Sequence, residues 1–334
     1  MSHTPKSGEL ALIEQIRRRT TKPHPLHLKL GIGDDCAIIA PPRNHDLLVT
    51  TDLSLETRHF RRDWHTPQAI GHRTLARGLS DLAAMGAKPL AAFLSLALPN
   101  DPKNNPRFLG GFLTGLLDLA HEHNVPLAGG DTSQSPSNEI LADITLLGAA
   151  PSGRALRRST ARPGDLLYVT GTLGGAAAEL ASLATNPKKL RNAKASDDHP
   201  HLYPQPRLTV GQTLLRRKLA TACIDLSDGL STDLAHLCEC SNVRAELNIA
   251  SLPAHILTTA LSSLDQIKAI LHGGEDYELL FTAGTATRVP HSIANVPITK
   301  IGRILTPKAG HPLVTIFDGE TTFELAAEGW EHLR

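Results

Sequence analysis

Strand-like and helix-like runs alternate along this chain, break off, and begin again, and few architectures accept such a pattern. The first series holds the strand "HDLLVTTDLSLE", a helix from Pro67 to Met85, the strand "LAAFLSLALP", the helix "NPRFLGGFLTGLLDLAHEHN", and the strands "VPLAGGDTS" and "EILADITLLGAA". Pro67 suits a first helical turn, and Gly86 suits a C-cap. A short amphipathic helix from Ser7 to Arg19 precedes the series. The break falls near Pro151–Gly153. Beyond it come the strand "DLLYVTG", the glycine-led helix "TLGGAAAELASLA", the helix "RLTVGQTLLRRKL" and the strand–turn–helix "ATACIDLSDGLSTDLAHLCECS". "RAELNIA" and "HGGEDYELLFTA" read as further strands, and "PITKIGRIL" and "PLVTIFDG" are expected to close the sheet. Asn186 to Arg207 is polar and carries four prolines, which predicts a surface excursion. At 334 residues the chain exceeds what one core usually serves. Two α/β domains are therefore expected, residues 1–150 and 151–334.

Charge narrows the function classes. Lys+Arg 34 against Asp+Glu 33 leaves a net charge of +1, and no basic face stands out. A nucleic-acid binder held by phosphate contacts is disfavoured. Of four cysteines only Cys238 and Cys240 are close, and no second pair completes a zinc spacing. Free thiols in a reducing cytosol are the expected state. The start "MSHTPKSGEL" lacks an apolar signal core, and no run approaches about 18 apolar residues. Neither secretion nor a membrane span is expected, and the location implied is cytoplasmic.

The acids recur in one kind of setting. Asp34 and Asp35 follow a glycine turn, and Asp52 follows Thr50 and Thr51 at a strand end. Asp81 follows Ser80, Asp131 follows Gly129–Gly130, Asp225 and Asp228 bracket Leu-Ser, and Glu275 and Asp276 follow Gly273–Gly274. Each stands at an element end beside Gly, Ser or Thr, where backbone can approach a ligand closely. Singly, each is a turn or N-cap more often than a ligand. Jointly they suggest several Mg²⁺ ions and a polyphosphate, because carboxylates and hydroxyls are hard oxygen donors. No P-loop, kinase glycine loop or nucleophile elbow is present. "GTLGGAAAEL" lacks the dinucleotide spacing and reads as a helix-packing or phosphate-approach cluster.

Seven stretches, taken in order, carry a family resemblance: "GIGDDCAII", "TTDLSLETRHF", "LSDLAAMGAKP", "GGDTS", "GRALRRSTARPGD", "IDLSDGLSTDL" and "GGEDYELLF". From about Gly8 to Trp330 the chain resembles the thiamine-monophosphate kinase family, within the aminoimidazole ribonucleotide synthetase-like superfamily. The tail "GWEHL" favours the thiamine enzymes within that superfamily. The resemblance implies two α/β domains of that type and a homodimer whose N-terminal sheets pair. It implies ATP and Mg²⁺ as requirements and phosphorylation of thiamine monophosphate to thiamine diphosphate. Magnesium would be held by Asp35, Thr50, Thr51, Asp52, Asp81, Asp131, Asp225 and Asp228. ATP would meet Gly130, Asp131, Arg158 and Ser227. The thiamine phosphate would meet His59, Glu275 and Trp330; the structural alternatives are a half-buried strand histidine and a packed C-terminal anchor. Asp34 would order the glycine turn through its backbone while Asp35 reaches magnesium.

Four positions depart from the family pattern: Thr57 replaces a glycine, Gly78 an asparagine, and Gln134 and Tyr203 an arginine each. The acceptor is already an oxyanion, so direct in-line transfer is the expected mechanism, with alignment and charge neutralisation as the protein's tasks. The alternatives are another ATP user of the superfamily or a non-catalytic ATP- and Mg²⁺-binding protein on the same scaffold.

Overall fold

The computed structural model describes residues 9–20, 25–101 and 104–330. The start of the expected first helix and the tail after Trp330 lie outside the described residues. The described residues fall into two compact units. One holds those up to Leu79 and from Pro89 to Pro151, and the other those from Ser80 to Lys88 and from Ser152 onward.

The first unit carries α1 (Glu9–Thr20), β1 (Leu28–Leu30), β2 (Ile38–Ile39), β3 (His45–Leu55), the body of α2 (Pro67–Ala84), β4 (Lys88–Leu98), α3 (Asn105–Glu122), β5 (Leu127–Gln134) and β6 (Leu141–Pro151). Its main sheet has four strands in the order β3-β6-β4-β5. β3 and β6 pair antiparallel along their whole length, while β4 and β5 are parallel. Pro67 opens α2, where a missing N–H costs nothing. Gly86 closes it at φ 67: its N–H reaches Ala83 O and Ala87 N–H reaches Leu82 O, the reciprocal pair of a left-handed C-terminal cap. The small residues of α2 permit close packing. A Cβ at Gly71 would lie 1.9 Å from Phe112 O of α3, and one at Gly78 would lie 2.7 Å from Leu146 Cδ1 of β6.

On the opposite sheet face Leu28, Ala37 and Ile39 pack against Ala91, Phe93 and Ala128 of β4 and β5, while among the described residues the same face of β3 is bare. Leu47, Val49 and Leu53 alternate along β3 and are 50%, 60% and 46% exposed. A one-sided sheet places polar residues there.

The second unit carries β7 (Leu166–Thr170), α4 (Gly175–Thr185), α5 (Leu208–Arg216), β8 (Ala222–Asp225), α6 (Leu230–Ser241), β9 (Arg244–Asn248), α7 (Ser263–His272), β10 (Leu279–Ala283), β11 (Ser292–Ile293), β12 (Val296–Leu305), β13 (Val314–Asp318) and β14 (Thr321–Glu324). Its sheet runs β14-β13-β9-β12-β7-β10-β8, with β11 beside β12. Most neighbours are antiparallel, and β9 with β13 is parallel. β12 lies inside this sheet rather than closing it, because both its edges find partners in β7 and β9. Leu230, Leu234, Leu237 and Cys238 form a helical stripe on α6 that packs into the core with Leu167, Ile224 and Leu280. Burying each such leucine stabilises by roughly 1.5–3 kcal/mol.

The expected surface excursion divides in two. Lys194 to Asp198 is exposed, but His201, Leu202, Tyr203 and Pro204 are buried. Glu179 of α4 explains the difference: its carboxylate pairs with His199 Nδ1 and accepts N–H bonds from His201 and Leu202.

Candidate active site

In the first unit, the turn Gly31–Ala37 and the first six residues of β5 face one another across a cleft of about 830 Å³, so Gly129–Asp131 lies within the strand rather than at its end. Ile13, Ile16, Phe93 and Leu94 form its apolar wall. Its polar wall holds Asp34, Asp35 and Asp131, all exposed, with Gly129 and Gly130. Asp34 Oδ1 accepts the Asp35 N–H at 2.9 Å, so Asp34 orders the turn and leaves the Asp35 carboxylate outward. Asp131 Oδ1 accepts the Thr132 N–H at 2.9 Å in the same manner. Gly130 has φ 151, and a Cβ there would lie 1.9 Å from Leu94 O. No side chain fits, so the backbone between β4 and β5 stays tight behind Asp131.

Thr50, Thr51 and Asp52 lie on β3, where side chains alternate between faces. Thr50 and Asp52 share the face toward α2, and Thr51 shares the bare face with Val49 and Leu53. The three side chains therefore do not converge. Asp52 is paired with Arg77 of α2, with Nε–Oδ1 at 2.8 Å and Nη2–Oδ1 at 2.6 Å. His59 sits nearby, packed with Ser54, Phe60, Ile70, Arg73, Thr74 and Arg77. Its Nδ1 accepts the Leu55 N–H at 2.9 Å, so a neutral ring carries its proton on Nε2.

In the second unit, the loop after β8 and the loop before β10 run side by side. Glu275 N–H donates to Ser227 O, Tyr277 N–H to Leu226 O, and Leu226 N–H to Glu278 O. Trp330 N–H donates to Asp228 O at 3.0 Å, which hangs the half-exposed indole beside the same loop. Ser227, Asp228, Glu275 and Trp330 are thus one group. Asp225 is buried at the end of β8 and accepts Ser80 Oγ at 2.6 Å, one residue before Asp81. Asp233 Oδ2 accepts the N–H groups of Asp228 and Gly229. Burial first, then the charges on Asp225 and Asp228, push the Asp233 carboxyl well above its ordinary range.

Arg158 stands apart from that group. Its carbonyl accepts Ser241 Oγ at 2.7 Å, at the last residue of α6, whereas Ser227 and Asp228 precede the first. Twelve residues of helix separate the two places, a rise of about 18 Å.

The donor set suits a hard cation. Asp35 and Asp131 in one unit, and Asp81, Asp225 and Asp228 in the other, offer carboxylate oxygens. Among the described residues, no three His, Cys, Asp or Glu side chains form a finished metal cage. Mg²⁺ commonly takes only one or two carboxylates and completes its shell with water and phosphate oxygens, so the set fits.

Known proteins match both units. The sequence model of AIR synthase related protein, N-terminal domain, matches residues 33–150, and that of its C-terminal domain matches residues 162–287. Thiamine-monophosphate kinase of Escherichia coli K12 is 39% identical over 332 residues, covering 97% of this chain and 98% of that protein. The chain belongs to the thiamine-monophosphate kinase family. The crystal structure of thiamine-monophosphate kinase from Stenotrophomonas maltophilia K279a superimposes with a TM-score of 0.81 at 37% identity, over 96% of this chain and 98% of that one. AaThiL complexed with AMPPCP and TMP gives a TM-score of 0.74 at 29% identity, over 99% of this chain and 100% of that one.

Sequence reasoning missed several residues that shape this family member's second unit. Asp276 accepts the N–H groups of Gly174 and Ala176 at 2.6 and 3.1 Å. It therefore caps α4, and the glycine cluster there serves packing rather than an open phosphate cradle. Burial holds the Asp276 carboxyl up at about 7 against those two bonds. Glu278 is buried and takes Arg207 in a two-pronged pair plus Thr170 Oγ1. The available signal was the acid run of "GGEDYELLF", in which only Glu275 was given a role.

Proposed function

We propose that this chain transfers the γ-phosphoryl group of ATP to thiamine monophosphate, giving thiamine diphosphate. The observation that carries this is the likeness to the E. coli enzyme, 39% identity over 97% of the chain, with acids placed at a cleft and at a loop pair. Transfer is direct and in line. The acceptor is an ionised phosphate, so it needs no strong general base, and the barrier lies in bringing two anions together.

Gly130 and Asp131 bind the nucleotide in the first unit. Ser227 and, at the far end of α6, Arg158 meet it in the second; a guanidinium suits a phosphate oxygen pair. Glu275, the Trp330 face and His59 receive the thiamine phosphate; a carboxylate and a π face both suit its cationic ring. Asp35, Asp81, Asp131, Asp225 and Asp228 hold magnesium, with Thr50 and Asp52 contributing from one face of β3; the Thr51 side chain, on the other face, leaves the expected set. Asp52 does so only by sharing its carboxylate with Arg77. Bound Mg²⁺ supplies charge neutralisation for the phosphates.

Residues 1–150 act as the ATP- and Mg²⁺-binding and dimerisation domain, and residues 151–334 complete the site. The bare face of β3, with Leu47, Val49 and Leu53, supports a homodimer in which two such sheets pair. A cytoplasmic location accords with free cysteines and with the absence, among the described residues, of a helix able to cross a membrane.

Purified protein with ATP, Mg²⁺ and thiamine monophosphate should form thiamine diphosphate at the rate ADP appears. Hydrolysis of ATP without thiamine diphosphate would overturn the assignment. Light scattering at micromolar protein should report two chains per particle.

A further inference from the structure

His201 is a histidine whose residue type, in a polar and proline-rich stretch, gives no hint of its place. It is 1% exposed, and its Nδ1 lies 3.2 Å from Glu275 Oε2. Three features make that contact a built one. The backbone carrying His201 is fastened by Glu179, which accepts the N–H groups of His201 and Leu202 and pairs with His199. Pro200, Pro204 and Pro206 frame the segment and limit its backbone freedom. Its far end is tied to the same loop as its near end, since Arg207 clasps Glu278 while His201 reaches Glu275.

Glu275 needs such a brace. Its φ is 68, in the left-handed region that a glutamate rarely adopts. A residue held there persists only where its surroundings over-determine it, and such strain gathers at ligand sites. Its N–H is taken by Ser227 O, which fixes the backbone. The side chain is fixed separately, by an imidazole that rotates little once buried. A preset carboxylate loses less freedom on binding than a swinging one.

We propose that His201 is a positioning residue, which holds the Glu275 carboxylate in the orientation that receives the acceptor substrate. This rests on the reading that Glu275 meets the thiamine phosphate. The segment His199–Arg207 is then a brace for substrate recognition and not a mere connection between helices. The contact favours the acceptor, because the side chain that His201 holds is that of Glu275, which is read as meeting the acceptor.

The test uses the full-length enzyme. Thiamine monophosphate binding is measured by calorimetry without ATP, and the KM values for ATP and for thiamine monophosphate are measured separately. His201→Ala should weaken acceptor binding about tenfold and raise its KM alike, with the KM for ATP unchanged. His201→Gln, which keeps a donor, should recover part of the loss and guards against misfolding of the alanine variant. In Glu275→Gln, adding His201→Ala should cost little more. Weakening by Glu275→Gln but not by either His201 variant overturns the brace alone. No acceptor effect from Glu275→Gln overturns the reading of Glu275 and the brace with it. Equal changes in both KM values, or a lowered melting temperature with unchanged acceptor binding, would make His201 a stability residue and also overturn the proposal.

Discussion

The two halves of the molecule handle negative charge in opposite ways. In the first unit, Asp35 and Asp131 stand exposed on a cleft, each placed by one local backbone bond at Asp34 or Thr132. In the second, Asp225, Asp233 and Glu278 are buried and Asp276 is half-buried, and they are tied into Ser80, Arg207, Thr170 and backbone N–H groups. An exposed carboxylate keeps its water until a ligand displaces it and contributes little to folding. A buried one must be fully partnered, or its desolvation is uncompensated. Acids spent on the fold thus gather in the second unit, where Asp225 is proposed to serve both the fold and magnesium, and substitutions should respond differently at exposed and at buried acids.

The sharpest contrast comes from Glu278→Ala. It strips Arg207 and Thr170 of their buried partner and should lower stability by about 3–5 kcal/mol in urea unfolding. An unchanged midpoint would erase the distinction between the halves. Next in size is Asp131→Asn, expected to lower kcat/KM about a hundredfold, ~2.7 kcal/mol, with an unchanged melting temperature. Asp35→Asn should follow it, and Asp34→Asn should be milder, since Asp34 serves the turn. A reversed order of the last two would contradict the Asp34–Asp35 geometry.

Asp276 offers a test by pH. Its folded value, about 7, stands above the ordinary 3.8, so the native state binds the proton more tightly than the unfolded chain. Its contribution is full below about pH 4 and is lost as pH rises toward 7. Against Asp276→Asn, the parent should lose on the order of 2 kcal/mol between pH 5 and 8. Parallel stability curves for the two proteins would mean that Asp276 is not held protonated. The smallest effect belongs to Thr57, a β-branched residue at φ 70 in the first unit. Thr57→Gly removes that strain and should stabilise by about 0.5–1 kcal/mol, read as a raised melting temperature.

What could be read in advance follows the same division. Asp34–Asp35 was legible because a glycine turn is local chemistry, decided within a few residues; Gly130–Asp131 reads as a strand end, yet β5 runs on through it to Gln134 because β4 goes on pairing with it. The pairing of Asp52 with Arg77 was not, because it joins positions that only the packing of α2 on the sheet brings together. Periodicity marked β12 as a strand and could not say that β7 and β9 flank it, since strand order is not a property of the strand. His201 was misread because polar residues between prolines look like surface, and the acid that buries them, Glu179, lies on another element. Strands β11 and β14 are short and carry too little alternation to be seen.

One neighbour of Asp35 gives the cleft a chemical readout of its own. Cys36 lines the cleft and is exposed, and Cys240 is the other exposed thiol. Cys223 and Cys238 are buried; burial pushes both thiols up, Cys238 to about 12, so neither offers thiolate near neutral pH. An alkylating reagent thus meets two addresses, one inside the cleft and one outside it. A nucleotide seated against Asp35 shields the first and leaves the second to run as an internal clock. The ratio of the two labels then measures occupancy without any turnover.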